Sequence, residues 1–180
     1  GEIAELLGQD HAWCERLRLA ARLHDIGKVA IPDSILLKPG PLSPAEFEVM
    51  KTHTTVGARI LSGSHSPLVQ LAQEVALNHH ERWDGQGYPK GLCGEDIPIE
   101  ARIVALADVF DALCSPRPYK AAWSPHDALV HIFREKGHHF DPACVDAFER
   151  QWAKISAIMA THEDLSVKLR IAATPPLSKD

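Results

Sequence analysis

Residues 17–25 read LRLAARLHD, an apolar stretch that ends on a histidine and an aspartate. The spacing i, i+3, i+4, i+7 predicts a helix over residues 13–25, with one face formed by Leu17, Ala20, Ala21 and His24. Two later stretches end in the same way: residues 75–80 read VALNHH, and residues 103–108 read IVALAD. Apolar helical segments that end on His or Asp predict a helical bundle whose interior receives polar side chains from several helices.

Helical periodicity dominates the rest of the chain. Ser43 predicts a helix start, with Pro44 at the first helical position and Glu46 completing a capping box, and this helix runs to about Leu61. Further helices are predicted over residues 68–81, 100–113, 124–137 and 142–159. Six glycines and prolines within residues 83–98 predict a long loop, either ordered or disordered. No stretch favours a β-strand, so the sequence predicts an all-α bundle of about six or seven helices.

Composition limits the class of protein. A length of 180 residues with 45% hydrophobic residues fits one domain with a substantial core. No apolar run approaches the ~18 residues that a membrane span needs, and no signal peptide is visible. A net charge of −5 argues against an overall basic surface for duplex nucleic acid or an anionic membrane. Four scattered cysteines without a C-x-x-C pair favour free thiols, so the expected location is cytoplasmic.

Histidine is the outlier of the composition, with 11 residues in 180. Six histidines and aspartates are candidate metal ligands by type and position: His24, Asp25, His53, His79, His80 and Asp108. Each has a simpler explanation by itself, since a single histidine on an apolar face is usually a core residue bonded to a carbonyl. Asp108 is equally open to pairing with Arg102 or Arg22. The set as a whole favours metal binding.

The motifs that contain these residues resemble those of the HD-GYP family of phosphodiesterases, a branch of the HD superfamily of metal-dependent phosphohydrolases. Residues 24–28, HDIGK, resemble the HD-x-G-K motif, and residues 53–57, HTTVG, resemble H-x-x-x-G. Residues 79–89, HHERWDGQGYP, resemble the HHE-x-x-DG-x-GYP block. The later matches are residues 107–113 (ADVFDAL), 117–120 (RPYK) and 140–142 (FDP). Six motifs in the family's order make a chance resemblance very improbable.

The resemblance implies an HD-domain helical bundle with additional C-terminal helices over residues 1–171, followed by a flexible tail at residues 172–180. It implies hydrolysis of cyclic di-GMP, a bacterial second messenger, to linear pGpG and onward to GMP. The implied ligand sets are His24, Asp25 and Asp108 for one metal ion, and Asp25, His53, His79 and His80 for a second. A hydroxide that bridges the two divalent ions is then the nucleophile. The family favours iron or manganese, while ligand type leaves nickel and zinc open.

Cationic side chains are the implied phosphate contacts. Lys28 is predicted to stabilise phosphate or transition-state charge, and with Asp25 it makes up the predicted catalytic residues. A solvated surface lysine is the alternative for Lys28. Arg117 and Lys120 are predicted to hold the second phosphate of the cyclic dinucleotide, with an exposed cationic turn as the alternative.

The glycine-rich loop adds further expectations. Tyr88 is predicted to stack on guanine or to bond a phosphate. In the family the loop is also linked to contacts with GGDEF-domain proteins, which make the same messenger, and here those contacts would involve Gly87-Tyr88-Pro89. Glu81 and Asp84 are candidates for orienting the ligand histidines, as is Asp111.

One departure from the family pattern leaves other functions open. Family members carry a further histidine ligand on a helix before the HD pair, a position that falls before Gly1, so the N-terminal helix is expected to be cut short. This favours, as an alternative, a catalytically weak cyclic di-GMP sensor or protein-interaction module. A third hypothesis is an HD phosphohydrolase for another nucleotide, such as a different cyclic dinucleotide. An upstream receiver or sensory domain is expected, because most family members carry one.

Overall fold

The computed structural model describes residues 2–116 and 122–157 of the chain, and within them the all-α prediction is confirmed. The α-helices are α1 (Glu2–Leu6), α2 (His11–Ala20), α3 (Asp33–Leu36), α4 (Pro44–Ile60), α5 (Pro67–Asn78), α6 (Ile99–Cys114), α7 (Pro125–Arg134) and α8 (Pro142–Arg150). The short helices α1 and α3 add to those that periodicity predicts, since four or five residues are too few to form an amphipathic pattern. No described helix has the length and apolar character needed to cross a bilayer.

The predicted helix starts are confirmed by their caps. The Ser43 hydroxyl accepts a hydrogen bond from the Glu46 N–H (3.3 Å), and the Glu46 carboxylate accepts one from the Ser43 N–H (2.7 Å), which completes the capping box of α4. Ser124 caps α7 in the same way, with its hydroxyl 3.1 Å from the Asp127 N–H. These local bonds satisfy N–H groups that a helix cannot satisfy itself, which is why sequence alone locates them.

The end of α2 differs from the prediction of a continuous helix to Asp25. The α-helix ends at Ala20, and two 3₁₀ turns follow, at Ala21–Leu23 and Ile26–Ala30. The tighter winding is fixed at Ala21, whose carbonyl accepts both the His24 N–H (3.2 Å) and the His24 Nδ1–H (2.7 Å). Asp25 therefore leaves helical geometry, with φ −98° and ψ 9°, and the chain turns toward α4.

A glycine contact joins the second 3₁₀ turn to α4. Gly27 is buried so closely against α4 that a Cβ atom there would lie 1.9 Å from the His53 carbonyl oxygen and 2.5 Å from the Gly57 nitrogen. Both partners are backbone atoms, which cannot move aside independently. The two motif glycines thus have one physical cause, a backbone crossing that places Asp25 beside His53.

Helix α5 lies at the centre of the bundle and packs against α2, α4 and α6, while α6 also contacts α7 and α8. The core is a continuous apolar cluster that includes Leu17, Val75, Leu106, Ile132, Phe140 and Phe148. Phe110 of α6 meets Phe148 of α8 edge to face, with ring centroids 5.0 Å apart. The C-terminal helices are therefore part of the same core as the helices that carry the candidate ligands.

The glycine-rich loop is ordered, which settles the open alternative. Asp84 and Cys93 form an isolated β-bridge across it. The Trp83 and Asp84 N–H groups donate to the carbonyls of His139 (3.1 Å) and His138 (2.8 Å), which anchors the loop to the connection between α7 and α8. The last predicted helix is shorter than expected, since α8 ends at Arg150, and residues 152–157 resume helical geometry after a turn. The tail at residues 172–180 lies outside the described residues.

The proposed pairing of Asp108 with Arg102 is wrong, because Arg102 bonds elsewhere. Its Nη1 lies 2.8 Å from Asp141 Oδ2, and its Nε donates to the Ile97 carbonyl at 2.8 Å. Asp141 also caps α8 by accepting the Ala143 N–H at 2.8 Å. The pair ties α6 to the start of α8 and leaves the Asp108 carboxylate available to another partner.

We expect Gly27→Ala to destabilise the fold by about 1–3 kcal/mol, the usual range for overpacking a buried site. The added methyl group meets backbone of α4, so the 3₁₀ turn must shift. Urea unfolding followed by circular dichroism measures the loss. Gly57→Ala is the matched control, because its Cβ would be 3.3 Å or more from its neighbours, and a loss as large as that of Gly27→Ala would contradict this account.

We expect Asp141→Ala to cost about 3–5 kcal/mol, because it leaves the Arg102 guanidinium without its buried partner and uncaps α8. The measurement is again the free energy of unfolding in urea. Asp146→Ala on the same helix removes only an exposed pair with Lys136, so its expected cost is about 0–1 kcal/mol. Equal losses for the two variants would show that the buried pair is unimportant.

Candidate metal centre

Two imidazoles are fixed by their helices so that their second nitrogen faces the interior. His53 lies within α4, and its Nδ1 is 2.8 Å from the Met50 carbonyl. His79 caps the end of α5, with its Nδ1 3.1 Å from the carbonyls of Val75 and Ala76. A carbonyl can only accept, so Nδ1 carries the proton in both rings, and in the neutral form Nε2 presents a lone pair. The two Nε2 atoms lie 3.4 Å apart with no proton to share.

The Asp25 carboxylate meets this pair. Its Oδ1 lies 3.4 Å from His53 Nε2 and 3.8 Å from His79 Nε2, and it is buried without a hydrogen-bond partner. Three electron-pair donors thus converge on one point, which is unfavourable unless a cation lies between them. One donor atom from each of Asp25, His53, His79 and His80 lies within 4.8 Å of the other three. The donor set therefore fits a divalent metal ion.

The second Asp25 oxygen faces a different set of groups. Oδ2 lies 3.3 Å from His24 Nε2 and 2.5 Å from Lys28 Nζ. His24 Nε2 is also 3.5 Å from Asp108 Oδ1, while its Nδ1 is bonded to Ala21 as in the other rings. His24 Nε2 therefore lies close to carboxylate oxygens of both Asp25 and Asp108, and these three side chains form a second group of candidate ligands.

The pKa values reflect this crowding. Burial, reinforced by the neighbouring histidines, lowers the pKa of His79 to about 4 and that of His80 to about 3, so both rings are neutral at neutral pH. Burial also lowers the pKa of His53. Burial alone would lower the pKa of His24, but the carboxylates of Asp108 and Asp25 outweigh it and raise that pKa to about 10. Without a metal ion, a proton on His24 thus supplies the positive charge between the two carboxylates.

His80 and Tyr88 form a stacked pair at the edge of the cluster. Their ring centroids are 4.8 Å apart with an interplanar angle of 28°, and Phe47 meets Tyr88 edge to face at 6.1 Å. Lys51 Nζ lies 5.6 Å from the Tyr88 centroid and 5.1 Å from that of Phe47. A cleft of about 380 Å³ opens beside these rings.

The structure brings the six predicted ligands together from four parts of the chain: the turn after α2, α4, the end of α5, and α6. Their role as metal ligands stays a prediction. Lys28 lies against Asp25 at the half-exposed rim, and Tyr88 lies against His80. Arg117 and Lys120 fall outside the described residues.

The predicted orienting acids lie elsewhere. Glu81 accepts the backbone N–H groups of Lys90 and Leu92, and Asp84 accepts Arg82 and the Gln86 N–H. Asp111 is exposed on α6. Neither Glu81 nor Asp84 therefore bonds a candidate ligand imidazole directly, and backbone carbonyls orient three of the four rings.

Sequence reasoning missed Phe47 and Lys51. They are four residues apart on α4, six and two residues before His53, and this i, i+4 spacing placed an aromatic ring and a cation on one helix face. That spacing was the available signal, but it carried no information on which loop would cover them.

Comparison with known proteins agrees with this geometry. The family described as HD domain matches residues 1–144. The cyclic di-GMP phosphodiesterase response regulator RpfG of Xanthomonas campestris pv. campestris is 51% identical over 168 residues, which are 93% of this chain and 44% of that protein. The 3'3'-cGAMP-specific phosphodiesterase 2 of Vibrio cholerae is 45% identical over 162 residues, 90% of this chain and 31% of that protein. The chain thus spans less than half the length of these relatives.

A solved structure supports the fold. The crystal structure of a cyclic GMP-AMP specific phosphodiesterase of V. cholerae, V-cGAP3, superposes with a TM-score of 0.64 at 23% identity, over 97% of this chain and 46% of that one. At that identity the likeness concerns the fold alone. Since the HD-domain match extends over well more than half of the sequence, the chain belongs to the HD-domain family, which confirms the resemblance carried by its motifs.

Proposed function

We propose that this chain is a metal-dependent phosphodiesterase that hydrolyses cyclic di-GMP to linear pGpG, with GMP as the product of a second cleavage. The observation that carries the proposal is the convergence of Asp25 Oδ1 with the Nε2 atoms of His53 and His79, a buried group of electron-pair donors that needs a cation. The name of the 51% identical relative supports the choice of substrate.

The two oxygens of Asp25 favour two metal ions. Oδ1 faces His53 and His79, whereas Oδ2 faces His24, so a single carboxylate serves two positions. In this proposal Asp25, His53, His79 and His80 would hold one ion, and Asp25, His24 and Asp108 would hold the other. Imidazole with carboxylate ligands and no thiolate suits iron or manganese, and also nickel or zinc.

Bound divalent ions supply charge neutralisation for the phosphodiester and lower the pKa of a bound water, which provides the nucleophile near neutral pH. Asp25 sets the spacing of the two positions through its two oxygens. Lys28 is held 2.5 Å from Asp25 Oδ2, at the open side of the cluster. From this position at the partly exposed rim, the Lys28 ammonium would contact the oxygens of a bound phosphate and stabilise their charge. Arg117 and Lys120 are proposed to hold the second phosphate.

A second candidate substrate is 3'3'-cGAMP. A relative named as specific for this dinucleotide is 45% identical to the chain, against 51% for the relative named for cyclic di-GMP. The two substrates share the phosphodiester chemistry and differ in one purine base. The metal cluster serves either substrate, so base recognition decides between them.

Three further expectations belong to this proposal. The location is cytoplasmic, where a second messenger is degraded. Gly87-Tyr88-Pro89 contacts GGDEF-domain proteins, which fits the exposed position of Pro89. A receiver or sensory domain accompanies this domain in the proposed protein, as the greater length of the relatives and the name response regulator of one of them suggest.

The direct test is hydrolysis by the chain after chelation and reloading with Mn²⁺ or, without oxygen, Fe²⁺. Cyclic di-GMP and 3'3'-cGAMP are supplied separately, and products are resolved by ion-exchange chromatography. We expect pGpG as the first product, and no product after chelation without reloading. Preferred cleavage of 3'3'-cGAMP would select the second candidate. Tight binding of intact cyclic di-GMP without turnover in iron, manganese or nickel would instead identify a sensor.

Asp108 and Asp111 of α6 provide a matched pair of variants that tests whether Asp108 is a metal ligand. Asp108→Asn removes a carboxylate charge 3.5 Å from His24 Nε2, and we expect it to weaken binding at one of two Mn²⁺ sites by at least about 100-fold, more than the loss of an outer-shell partner. Asp111→Asn, exposed three residues further on, should leave both sites unchanged. Titration calorimetry of the metal-free protein measures this, and equal affinities for the two variants would exclude Asp108 as a ligand.

A further inference from the structure

His80 is held differently from the other three imidazoles of the cluster. His24, His53 and His79 each bond a backbone carbonyl three or four residues back through Nδ1, at 2.7–3.1 Å. Within residues 2–116 and 122–157, the His80 ring makes no hydrogen bond of this kind or any other. A ring without such a bond keeps rotational freedom unless packing removes it.

The His79 and His53 rings lie against His80, with centroids 4.0 and 5.1 Å away, and Tyr88 adds the stacked contact. Its ring stacks on the His80 ring at 4.8 Å and 28°, and its N–H donates to the His80 carbonyl at 3.1 Å. Tyr88 therefore fixes both the backbone and the ring plane of His80. Phe47 and Lys51 of α4 contact Tyr88 in turn, so the stack is supported by the same helix that carries His53.

Glu81 holds the Tyr88 segment in place. Its side chain is buried, with 2% of the residue exposed, yet its carboxylate is satisfied entirely by the loop: Oε1 accepts the Lys90 N–H at 2.7 Å and Oε2 accepts the Leu92 N–H at 3.0 Å. Gly87 allows the closure, because a Cβ there would lie 2.3 Å from the Arg82 nitrogen. These contacts hold the loop against Glu81 and Arg82, the two residues that follow His80, and we call them the clasp.

We propose that Tyr88 is a positioning residue for His80, and that Glu81 acts through Tyr88 by clasping the loop. The inference rests on the proposed metal centre and deepens it. A ring already in its binding orientation loses less rotational freedom when a metal ion binds, so the stack raises affinity at the site formed with Asp25, His53 and His79. The predicted stacking of Tyr88 on guanine is then secondary, since one face of the ring is occupied by His80.

The test is Mn²⁺ titration of the metal-free protein by calorimetry, with no substrate present. Tyr88→Leu removes the stacking ring and should weaken one Mn²⁺ site about 10- to 100-fold, the usual effect of losing an outer-shell partner. Tyr88→Phe retains the ring without the hydroxyl and should restore the affinity to within about three-fold of the wild type. Glu81→Gln retains the shape but cannot accept both loop N–H groups, so its affinity should fall between these values.

The outcomes of these titrations either support or overturn the role proposed for Tyr88. If Tyr88→Leu binds Mn²⁺ as the wild type does, Tyr88 does not position His80 and the inference is overturned, whereas the proposed function stands. If Tyr88→Phe weakens Mn²⁺ binding as much as Tyr88→Leu, the hydroxyl and not the stack is responsible, which also overturns it. Absence of Mn²⁺ binding by the wild type contradicts the metal centre itself. Should Tyr88→Leu fail to fold by circular dichroism, Glu81→Gln decides, since an unchanged affinity there removes the clasp.

Discussion

The convergence of electron-pair donors on Asp25 is the constraint on which the rest of the structure depends. Bringing its carboxylate together with the neutral imidazoles of His53 and His79 gains nothing by itself, because both rings donate their one N–H to a backbone carbonyl and have no proton to offer. A buried acceptor left without a donor costs about 1–3 kcal/mol, so the surrounding helices must supply the stabilisation that the cluster lacks. The apolar cluster around α5 and α6 lies directly behind the ligands and fulfils this need.

Backbone atoms, more than side chains, define the site. Carbonyl oxygens of Ala21, Met50 and Val75 set the planes of three rings, and the contact of Gly27 with α4 sets the distance between Asp25 and His53. Backbone positions are shared by the whole bundle and resist local rearrangement. The geometry is therefore as rigid as the helices, which is the preorganisation that metal ligation requires.

Prediction of the structure from sequence succeeded best where a rule relates residues that are close together in the chain. Ser43 and Ser124 predict helix starts because their capping bonds span three residues, and the six candidate ligands follow from residue type, from their positions in apolar helical segments and from the family resemblance. Prediction from sequence failed where contacts between residues far apart in the chain determine the structure. The path of the chain after α2 depends on how the second 3₁₀ turn packs on α4. Arg102 bonds Asp141, 39 residues away, and not Asp108 on its own helix. Glu81 is a similar case, since its partners depend on loop closure.

The C-terminal helices contact the glycine-rich loop, which connects them to the candidate metal centre. The loop carries Tyr88 against His80 at one end and is anchored at Trp83 and Asp84 to the carbonyls between α7 and α8. Arg102 adds a second link, since it bonds Asp141 at the start of α8 and lies 5.8 Å from the Trp83 ring centroid. These contacts connect α8 to the loop that carries Tyr88, and through that loop to His80. The additional helices therefore support the candidate metal centre as well as the fold.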